Sequence, residues 1–485
     1  MKCANKAKAS GRFGRLTPDI LRELAAAIGE KNVYTNGDTL ESYSYDTTGQ
    51  IFSHEFDVLV KPENTEQVAA VMKIASRHRI PVTPRAAGSG IAGAAIPIYG
   101  GIVLSIEKMN RILEVDPINR VAVVEPGVVT NDLCRTVAAK GLLYAGYPMS
   151  TEMSFIAGNI GTNAGGGKVI RYGNTRRHIL GMEVVTASGD VIDLGGKYRK
   201  DTWGLPIMQL LIGTEGTLGI ITKVIVHLEP APGKLVNLLA AFPDLDTMVV
   251  SVASVVSSGA KIISCEFLDR LSVAVTTKFL STELPFQDRA EAYLLIQVEG
   301  DSDEQLEAAY EKVGALCMEN GALEVFIAES RTDATAMWQV RQNLAEGMRA
   351  EDPYTSLSGD VVVPLSEIPR MMKIIEEKCK KWNVVVANLG HIADGNLHPL
   401  AMKPKDMSPE RWATYSEEFY ADLIAEAIKL GGVGSGEHGV GYIKLEALLD
   451  SLSPAERTIH RGIKAAFDPL GILNPGKLVP VEDNI

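Results

Sequence analysis

The chain has 485 residues, of which 46% are hydrophobic and 22% are charged, and its formal net charge is -12. This composition is typical of a globular protein with two or three hydrophobic cores and excludes a disordered chain. The acidic balance argues against a nucleic-acid surface, which needs a basic face, and no apolar run is long enough to predict a transmembrane helix.

The first predicted elements form an accessory helix and an alternating region of strands and helices. Thr17-Pro18-Asp19 is typical of a helix start, and Gly29 is typical of a helix end. Residues 183–193 predict a β-hairpin, because two alternating runs are joined by a serine-glycine turn. From residue 57 onward, a helix is predicted over 65–78, and strands near 58–60, 80–82, 102–104, 112–115, 121–124 and 220–226.

The segment 229–233, rich in proline and glycine, predicts a domain boundary. After it, strands near 235–241, 262–267, 293–298, 360–363 and 384–387 alternate with helical segments over 304–320 and 333–350. We therefore predict an N-terminal arm and accessory helix at 1–56, a first domain at 57–232, a second domain at 233–445, and a helical segment at 446–485 that returns to the first domain.

The N-terminal residues and the cysteines give information about the cellular location of the protein. Basic residues at positions 2, 6, 8, 12 and 15 precede no apolar stretch, so this arm does not resemble a secretory signal. The five cysteines are scattered without a CxxC pair, which argues against an iron–sulfur cluster or zinc ribbon held by this chain. We expect a cytoplasmic protein whose only membrane contact would be peripheral, and electrons from any redox reaction must leave through another molecule.

Two short segments near the end of the chain concentrate groups that could assist catalysis through a metal. His391 and His398, with six residues between them, and Glu437 provide two imidazoles and a carboxylate. Such a set binds divalent transition metals and leaves coordination positions open for a substrate, on which Asn396 and His438 could act. The histidine spacing is not that of the zincin helix, so the two must converge through a strand and a turn. The alternative is that these polar loop groups bond only to each other.

Three glycine-rich loops in the first domain suggest a dinucleotide site. They span residues 84–93, 157–167 and 213–219, and the first directly follows a predicted strand. Small residues let backbone amides approach a pyrophosphate closely. Tight turns in a glycine-rich chain are the alternative for any single loop, and this alternative weakens when three such loops occur together.

Residues 434–439 match the letters of the dinucleotide fingerprint GxGxxG. The match follows a predicted helix rather than a strand, and no βαβ unit with a ribose-binding acid surrounds it. We therefore predict that this segment does not bind a nicotinamide cofactor.

Seven segments carry a resemblance to a known family: 88–90, 157–166, 172–176, 213–219, 390–398, 436–439 and 474–477. They resemble the FAD-linked 2-hydroxyacid dehydrogenases, in particular the group of the glycolate oxidase D-subunit and D-lactate dehydrogenase. The resemblance covers nearly everything from Asp57 to Pro480, and the motifs occur in the family's order.

The resemblance implies an α+β fold, with a two-subdomain FAD-binding domain of the vanillyl-alcohol oxidase type at 57–232 and an α+β cap, or substrate, domain at 233–445. The flavin pyrophosphate would be held by residues 84–93 and 158–166. We expect the FAD to be non-covalent, because no histidine lies in the loop 84–93. The residues assigned to FAD are Pro84, Ala86, Ala87, Gly88, Ser89, Gly90, Gly93, Ser154, Gly158, Asn159, Asn163, Ala164, Gly165, Gly166, Glu215, Gly219, Ile221 and Asn474.

The resemblance also implies the substrate side of the site. His391, His398 and Glu437 would bind zinc, manganese or iron, and Asn396 and His438 would lie beside the substrate. A bound metal lowers the pKa of a substrate hydroxyl, a neighbouring imidazole can accept its proton, and the hydride passes to the flavin. Together these groups predict oxidation of a 2-hydroxyacid.

Arg341 would bind the substrate carboxylate, because a guanidinium pairs with a carboxylate bidentately. Without the resemblance it would be interpreted as a solvated helix charge near Glu346. The chain departs from the family at Ala86 and Ala94, where many relatives have glycine, so any positive backbone dihedral required there would be strained.

The leading hypothesis is an FAD-dependent dehydrogenase of D-2-hydroxyacids, with D-lactate favoured and glycolate or D-2-hydroxyglutarate as alternatives. Its electrons would pass to an electron-transferring flavoprotein, an iron–sulfur subunit or a quinone, among which the sequence does not choose. Two hypotheses from other classes are a metal-dependent hydrolase that uses His391, His398 and Glu437, and a flavoprotein subunit without catalytic activity.

Overall fold

The computed structural model describes residues 11–328 and 330–481. Lys2, Lys6, Lys8 and Cys3, and with them most of the predicted basic arm, lie outside the described residues. The chain divides into two compact units. Unit 1 comprises Met1–Ala164, Asn174–Ala231 and Glu437–Ile485, and unit 2 comprises Gly165–Gly173 and Pro232–Gly436.

Both units combine helices with β-sheets, as an α+β chain requires. The described helices are α1 (Pro18–Ile28), α2 (Gly37–Glu41), α3 (Thr65–His78), α4 (Thr130–Ala138), α5 (Ile156–Thr162), α6 (Val169–Tyr172), α7 (Ile207–Leu211), α8 (Leu245–Val256), α9 (Arg270–Leu280), α10 (Asp303–Glu319), α11 (Arg331–Gln342), α12 (Leu344–Glu351), α13 (Ile368–Trp382), α14 (Pro409–Lys429), α15 (Leu445–Ser451) and α16 (Pro454–Phe467). The described strands are β1 (Val33–Tyr34), β2 (Val58–Val60), β3 (Val82–Arg85), β4 (Ile102–Ser105), β5 (Ile112–Asp116), β6 (Val121–Val124), β7 (Leu142–Leu143), β8 (Ile179–Val185), β9 (Val191–Gly195), β10 (Ile220–His227), β11 (Glu229–Pro230), β12 (Lys234–Phe242), β13 (Lys261–Asp269), β14 (Ala292–Gly300), β15 (Glu324–Ile327), β16 (Val361–Val362), β17 (Val385–Gly390) and β18 (Asn396–Met402).

The predicted accessory helix is confirmed as α1. The Thr17 hydroxyl accepts from the Ile20 amide at the N-terminus, and Gly29 ends the helix with a φ of 86°. Ile20, Leu24 and Ile28 recur every four residues and are all buried, so one face of α1 packs on the core of unit 1.

A four-stranded sheet of unit 1 has the order β1-β2-β4-β3, in which β2 and β3 both pair in parallel with β4. Helix α3 forms the crossover between β2 and β3 that parallel strands need. The Asn64 side chain caps its start, and Arg79 ends it in a left-handed conformation. This arrangement places the glycine-rich loop 84–93 at the carboxyl end of β3.

A second, antiparallel sheet of unit 1 has the order β5-β6-β10-β8-β9. The predicted hairpin is confirmed as β8 and β9, with Glu183 opposite Asp193 and Val185 opposite Val191. Strand β10 fills the middle of this sheet between β6 and β8. The loop 213–219 therefore leads directly into a central strand.

Unit 2 is built on a seven-stranded antiparallel sheet with the order β15-β12-β14-β13-β17-β18-β16. Its central strands β13 and β14 are almost entirely buried, which requires apolar residues on both faces. Strand β17 pairs with β13 on one side, where Phe267 lies opposite Gly390, and with β18 on the other. The segment of residues 391–398 therefore begins at the end of β17 beside a buried strand.

Two predicted elements are wrong in detail. The strand predicted at 80–82 begins at Val82, because the Ile80 amide still bonds to the Ala75 carbonyl at the exit of α3. The helix predicted over 333–350 is two helices, α11 and α12, separated at Asn343. The Asn343 side chain donates to the Gln339 carbonyl over 2.9 Å, a local bond that competes with helix continuation.

Candidate active site

The two predicted metal-binding histidines of unit 2 are brought together by a strand, a turn and a strand. His391 follows β17 directly, and His398 lies in β18 opposite Leu389. Their rings are edge to face with centroids 5.4 Å apart, and both residues are buried. The turn between them depends on Gly395, whose φ is 75° and where a Cβ would lie 2.1 Å from the Val363 carbonyl oxygen. The predicted convergence is confirmed.

Glu266 of β13 joins His391 to Arg341. Its Oε1 lies 2.7 Å from Nδ1 of His391, and its Oε2 accepts from Nε of Arg341 over 2.8 Å. Burial raises the pKa of Glu266, but the charges and hydrogen bonds of His391 and Arg341 outweigh burial and hold this pKa below its ordinary value. Because an ionised carboxylate only accepts, Nδ1 of His391 carries the donated proton.

Arg341 lies in the last turn of α11, just before the break at Asn343. One turn earlier, the Trp338 indole donates to Asn237 over 2.9 Å and fixes the helix against β12. The Arg341 side chain is 8% exposed. Within residues 11–328 and 330–481, its two terminal nitrogens make no hydrogen bond. A buried guanidinium with unused donors is suited to bind an anion.

Asp360 is the second buried carboxylate of unit 2 that organises predicted site residues. Its Oδ1 accepts from the Asn396 amide group over 2.8 Å, and its Oδ2 accepts from the Ser435 hydroxyl and the Gly436 backbone amide over 2.6 and 3.0 Å. Nδ1 of His398 lies 3.3 Å from the Gly359 carbonyl oxygen, to which it donates. Asp360 therefore fixes both Asn396 and the residue that precedes Glu437 in the chain.

Glu437 and His438 belong to unit 1, where Nε2 of His438 lies 3.6 Å from Oε1 of Glu437. The loop that carries them is held by Glu215, which accepts from the backbone amides of Val440 over 2.6 Å and Gly441 over 2.8 Å. Burial raises the pKa of Glu215 to about 7, although these two amides act in the opposite direction. Glu215 thus fixes the main chain two residues after His438.

Glycine is required in this loop by close approaches within unit 1. A Cβ at Gly439, where φ is 81°, would lie 2.5 Å from Oε1 of Glu215. A Cβ at Gly441 would lie 1.7 Å from the Ala92 carbonyl oxygen. Gly439, the last glycine of the GxGxxG match, therefore serves the packing of this loop, and the match follows helix α14 rather than a strand, as predicted.

Asn474 and Lys477 are two further buried polar residues of unit 1, beside Glu215. The Asn474 amide donates to the carbonyl oxygens of Glu215 over 2.7 Å and Ala94 over 2.9 Å. The Lys477 ammonium donates to the Ile96 carbonyl over 2.7 Å, and burial lowers the pKa of Lys477 to about 7. The side chains of Glu215 and Asn474, both predicted to contact FAD, thus bond to the main chain, and their contact with FAD stays a prediction.

The loop 84–93 provides backbone donors for a phosphate. Within the described residues, the amides of residues 87–90 make no hydrogen bond. Gly88 and Gly93 have φ values of 72° and 77°, whereas Ala86 and Ala94 do not have positive φ, so the two alanines do not strain the loop. A Cβ at Gly158 would lie 3.2 Å from the Ala86 Cβ, so this close approach favours glycine. Free amides on a glycine-rich loop fit a pyrophosphate.

The remaining residues predicted to bind FAD lie in both units. Ser154, Asn159 and Thr130 form a buried trio, with Ser154 Oγ and Asn159 Nδ2 lying 2.9 and 2.8 Å from Thr130 Oγ1. Asn163 accepts from the Arg176 amide over 2.9 Å. Pro84 lies in β3, and Ala87, Ser89 and Gly90 lie in the loop that follows this strand. Ala164 is the last residue of the first segment of unit 1, and Gly165 and Gly166 are the first residues of unit 2. Gly219 and Ile221 lie on either side of Ile220, the first residue of β10.

Sequence reasoning missed Glu266 and Asp360, although one signal for Glu266 was present. The segment 262–267 was predicted as a strand, and Glu266 is the single charged residue inside this run. A carboxylate is almost never fully buried without a partner, so its position already indicated a partnered charge.

Two protein families match this chain. Residues 56–195 match the family described as "FAD binding domain", and residues 231–478 match the family described as "FAD linked oxidases, C-terminal domain". The chain belongs to the FAD-linked oxidases. It is 38% identical over 465 residues to glycolate oxidase subunit GlcD of Bacillus subtilis (strain 168), covering 96% of this chain and 97% of that protein.

Two further relatives have similar coverage. D-lactate dehydrogenase of Anaerostipes hadrus is 33% identical over 96% of this chain and 98% of its own length. D-2-hydroxyglutarate dehydrogenase of Stutzerimonas stutzeri (strain A1501) is 34% identical over 95% of this chain and 99% of its own length. The family predicted from the motifs, and with it the status of the chain as an FAD-linked oxidoreductase, is confirmed.

Solved structures show the fold. The structure of p-cresol methylhydroxylase with substrate bound superposes with a TM-score of 0.80 at 20% identity, covering 95% of this chain and 96% of that one. The 4-ethylphenol oxidase of Gulosibacter chungangensis gives 0.78 at 19% identity. The predicted α+β fold of the vanillyl-alcohol oxidase type is confirmed. No helix among the described residues is both long and apolar enough to cross a membrane.

Proposed function

We propose that this FAD-linked enzyme is a dehydrogenase that oxidises a D-2-hydroxyacid to the 2-oxoacid, with D-lactate as the favoured substrate. The names of the relatives support this class, because lactate, glycolate and 2-hydroxyglutarate all carry a hydroxyl next to a carboxylate. The observation that carries the proposal is Arg341, whose guanidinium is buried, oriented by Glu266, and has two terminal nitrogens available for that carboxylate.

Arg341 would fix the substrate by a bidentate pair with its carboxylate. Because Nε is already bonded to Glu266, the guanidinium plane cannot rotate freely, and its terminal nitrogens point in a defined direction. A charge-assisted pair of this kind is stronger when water is excluded, and the arginine side chain is 8% exposed. The carboxylate would then define where the neighbouring hydroxyl lies.

We propose His391, His398 and Glu437 as the ligands of a divalent zinc, manganese or iron ion, which when bound would polarise the substrate hydroxyl. The donor set fits such an ion, because Nδ1 of His391 donates to Glu266 and Nδ1 of His398 donates to Gly359. These bonds leave Nε2 as the basic nitrogen of each ring, as in metal sites whose histidines are oriented by a second partner. Glu437 follows Gly436, whose amide is fixed by Asp360.

The proton and the hydride would follow separate routes. His438 would accept the hydroxyl proton as general base, and Asn396, fixed by Asp360, would orient the hydroxyl oxygen. FAD supplies the acceptor for the C2 hydrogen and its two electrons. The loop 84–93 and residues 158–166 would hold its pyrophosphate through backbone amides, and the cofactor would be non-covalent.

The reduced flavin would be reoxidised by another redox carrier. An electron-transferring flavoprotein, an iron–sulfur subunit or a quinone would each serve, since the five cysteines form no CxxC pair. We propose a cytoplasmic enzyme with peripheral membrane contact at most. Glycolate and D-2-hydroxyglutarate remain alternative substrates, supported by the relatives that bear these names.

The visible spectrum of the purified protein tests this proposal. A flavin band should be present and should bleach on anaerobic addition of D-lactate, while glycolate and D-2-hydroxyglutarate rank the alternatives. A flavin band that no hydroxyacid bleaches would identify a subunit without catalytic activity. A colourless protein that FAD does not reconstitute, with hydrolytic activity, would favour a metal-dependent hydrolase.

A further inference from the structure

Glu266 is an unusual residue for its position. It lies in β13, the central strand of the unit 2 sheet, between Cys265 and Phe267, and all three residues are buried. Taking a carboxylate out of water is costly, and the cost is offset only where good hydrogen bonds and opposite charges replace the water. A leucine or valine would fill a strand position of this kind at no such cost.

Both oxygens of Glu266 are used, and they serve two different groups. Oε1 accepts from Nδ1 of His391, which leaves Nε2 of that imidazole as its basic nitrogen. Oε2 accepts from Nε of Arg341, which fixes the plane of the guanidinium and leaves its terminal nitrogens unbonded within the described residues. One carboxylate thus sets the tautomer of an imidazole and the direction of a guanidinium.

We propose that Glu266 is a positioning residue that couples carboxylate binding at Arg341 to metal binding at His391. The inference rests on the proposed function, which assigns those two roles. It adds that the two roles are not independent, because loss of the Glu266 carboxylate must disturb both groups at once.

Glu266→Gln is the variant that tests the coupling most directly. Glutamine has the same shape, but its amide offers one accepting oxygen and one donating nitrogen. It cannot accept from both Nδ1 of His391 and Nε of Arg341. With the amide oxygen toward Arg341, the amide NH2 faces Nδ1 of His391, which either loses its bond or accepts in the tautomer that protonates Nε2 and prevents it from binding a metal. With the amide reversed, Nε of Arg341 loses its acceptor, and in both orientations neither partner faces a negative charge. A purely packing role of Glu266 would be nearly unaffected by this substitution.

Glu299 provides a matched control in the same sheet. It is 8% exposed in the neighbouring strand β14, and its carboxylate bonds to the Gly233 amide over 2.8 Å rather than to Arg341 or His391. Glu299→Gln therefore removes a buried negative charge from unit 2 without touching either group. FAD content and thermal midpoint check that both variants are folded.

The test uses two binding measurements on the chelator-treated holoprotein, neither of which needs turnover. Zn²⁺ affinity is measured by titration, and affinity for oxalate, a two-carbon carboxylate, is measured from the flavin absorbance change. We expect Glu266→Gln to weaken Zn²⁺ binding by about 10- to 100-fold and oxalate binding by about tenfold or more. Glu299→Gln should match the parent in both measurements.

Each outcome decides the proposal. If Glu266→Gln weakens only one of the two ligands, or neither, the coupling is overturned. If the parent itself binds neither Zn²⁺ nor oxalate, the proposed function fails together with the coupling, so the two failures are distinguishable. If Glu266→Gln does not fold, Glu266→Asp replaces it, because aspartate keeps both accepting oxygens and the charge. Its side chain is shorter by one methylene, which draws both accepting oxygens away from His391 and Arg341, so the same paired loss is expected.

Discussion

Unit 1 and unit 2 both bury charged side chains, but they use them differently. In unit 1, Glu215 and Lys477 bond mainly to the main chain, to the amides of Val440 and Gly441 and to the Ile96 carbonyl. They therefore fix the shape of loops. In unit 2, Glu266 bonds to two functional side chains, so that the orientation of individual groups is fixed.

This difference suggests that loops of unit 1 are shaped to bind a cofactor, whereas side chains of unit 2 are oriented to bind a substrate and a metal. A cofactor such as a dinucleotide is held largely by backbone amides, and loops need glycine and main-chain anchors to present them. A small substrate and a metal are held by side chains, which need partners that fix their rotamers and tautomers. Substitutions of the unit 2 side chains that Glu266 and Asp360 orient should therefore change binding and turnover while FAD content stays constant.

The largest effect is expected from His398→Ala in unit 2. Loss of a metal ligand should lower turnover by about three decades or more, because a metal contributes several kcal/mol to stabilising the reacting oxygen. FAD content should equal that of the parent, since the residue lies in β18 of unit 2. The measurement is steady-state turnover with D-lactate beside metal analysis. Full activity in this variant, or in metal-stripped parent, would remove the metal from the mechanism.

His438→Ala should lower kcat by about two to four decades if this residue is the general base. Because His438 belongs to unit 1, binding of oxalate at Arg341 of unit 2 should persist, which separates proton transfer from substrate binding. Stopped-flow reduction of the flavin by D-lactate measures the step. His460→Ala in helix α16 of the same unit is the control and should behave as the parent. Unchanged reduction in His438→Ala would show that the proton acceptor is assigned wrongly.

Arg341→Ala should mainly raise KM, because the carboxylate pair is present in both the bound substrate and the transition state. The loss of about 1.5 to 3 kcal/mol corresponds to about one to two decades in affinity. Arg370→Ala is a suitable control, since that side chain is 71% exposed and pairs only loosely with Glu367. A drop in kcat with unchanged KM would argue for a different carboxylate partner.

The last prediction concerns the dependence of the stability of unit 1 on pH. Burial raises the pKa of Glu215 from 4.5 to about 7, so the folded protein binds more protons than the unfolded chain between these values. The free energy of unfolding should therefore fall as the pH rises from about 5 to 7, by at most about 3 kcal/mol at roughly 1.4 kcal/mol per unit.

Glu215→Gln should remove this fall, because the amide oxygen still accepts from Val440 but does not ionise. The difference between parent and variant in chemical denaturation at pH 5, 6 and 7 isolates the contribution of Glu215 from that of the histidines. Parallel pH profiles for the two proteins would show that Glu215 does not titrate in this range.

The glycine loops were predictable because their signal is local. Residues 84–93 follow a strand and combine small residues in one short run. Helix α1 and the β8–β9 hairpin likewise have their caps and turns within a few positions of the chain.

The contacts of Glu266 could not be predicted in this way. The pairing of Glu266 with His391 spans 125 residues, and that with Arg341 spans 75. Strand order sets such contacts, and periodicity along the chain does not encode it. The break at Asn343 was missed for a different reason, because its local side-chain bond to Gln339 competes with a strong helical pattern.

The most direct test of the central claim is the anaerobic reduction of the flavin by D-lactate that carries deuterium at C2. We predict that the flavin band bleaches with a single-turnover rate that is clearly slower with deuterium than with hydrogen, because the C2 hydrogen passes to FAD while the hydroxyl proton leaves separately. Bleaching that is equally fast with both substrates would show that another step limits reduction. Absence of bleaching with D-lactate, glycolate and D-2-hydroxyglutarate would contradict 2-hydroxyacid oxidation by this chain.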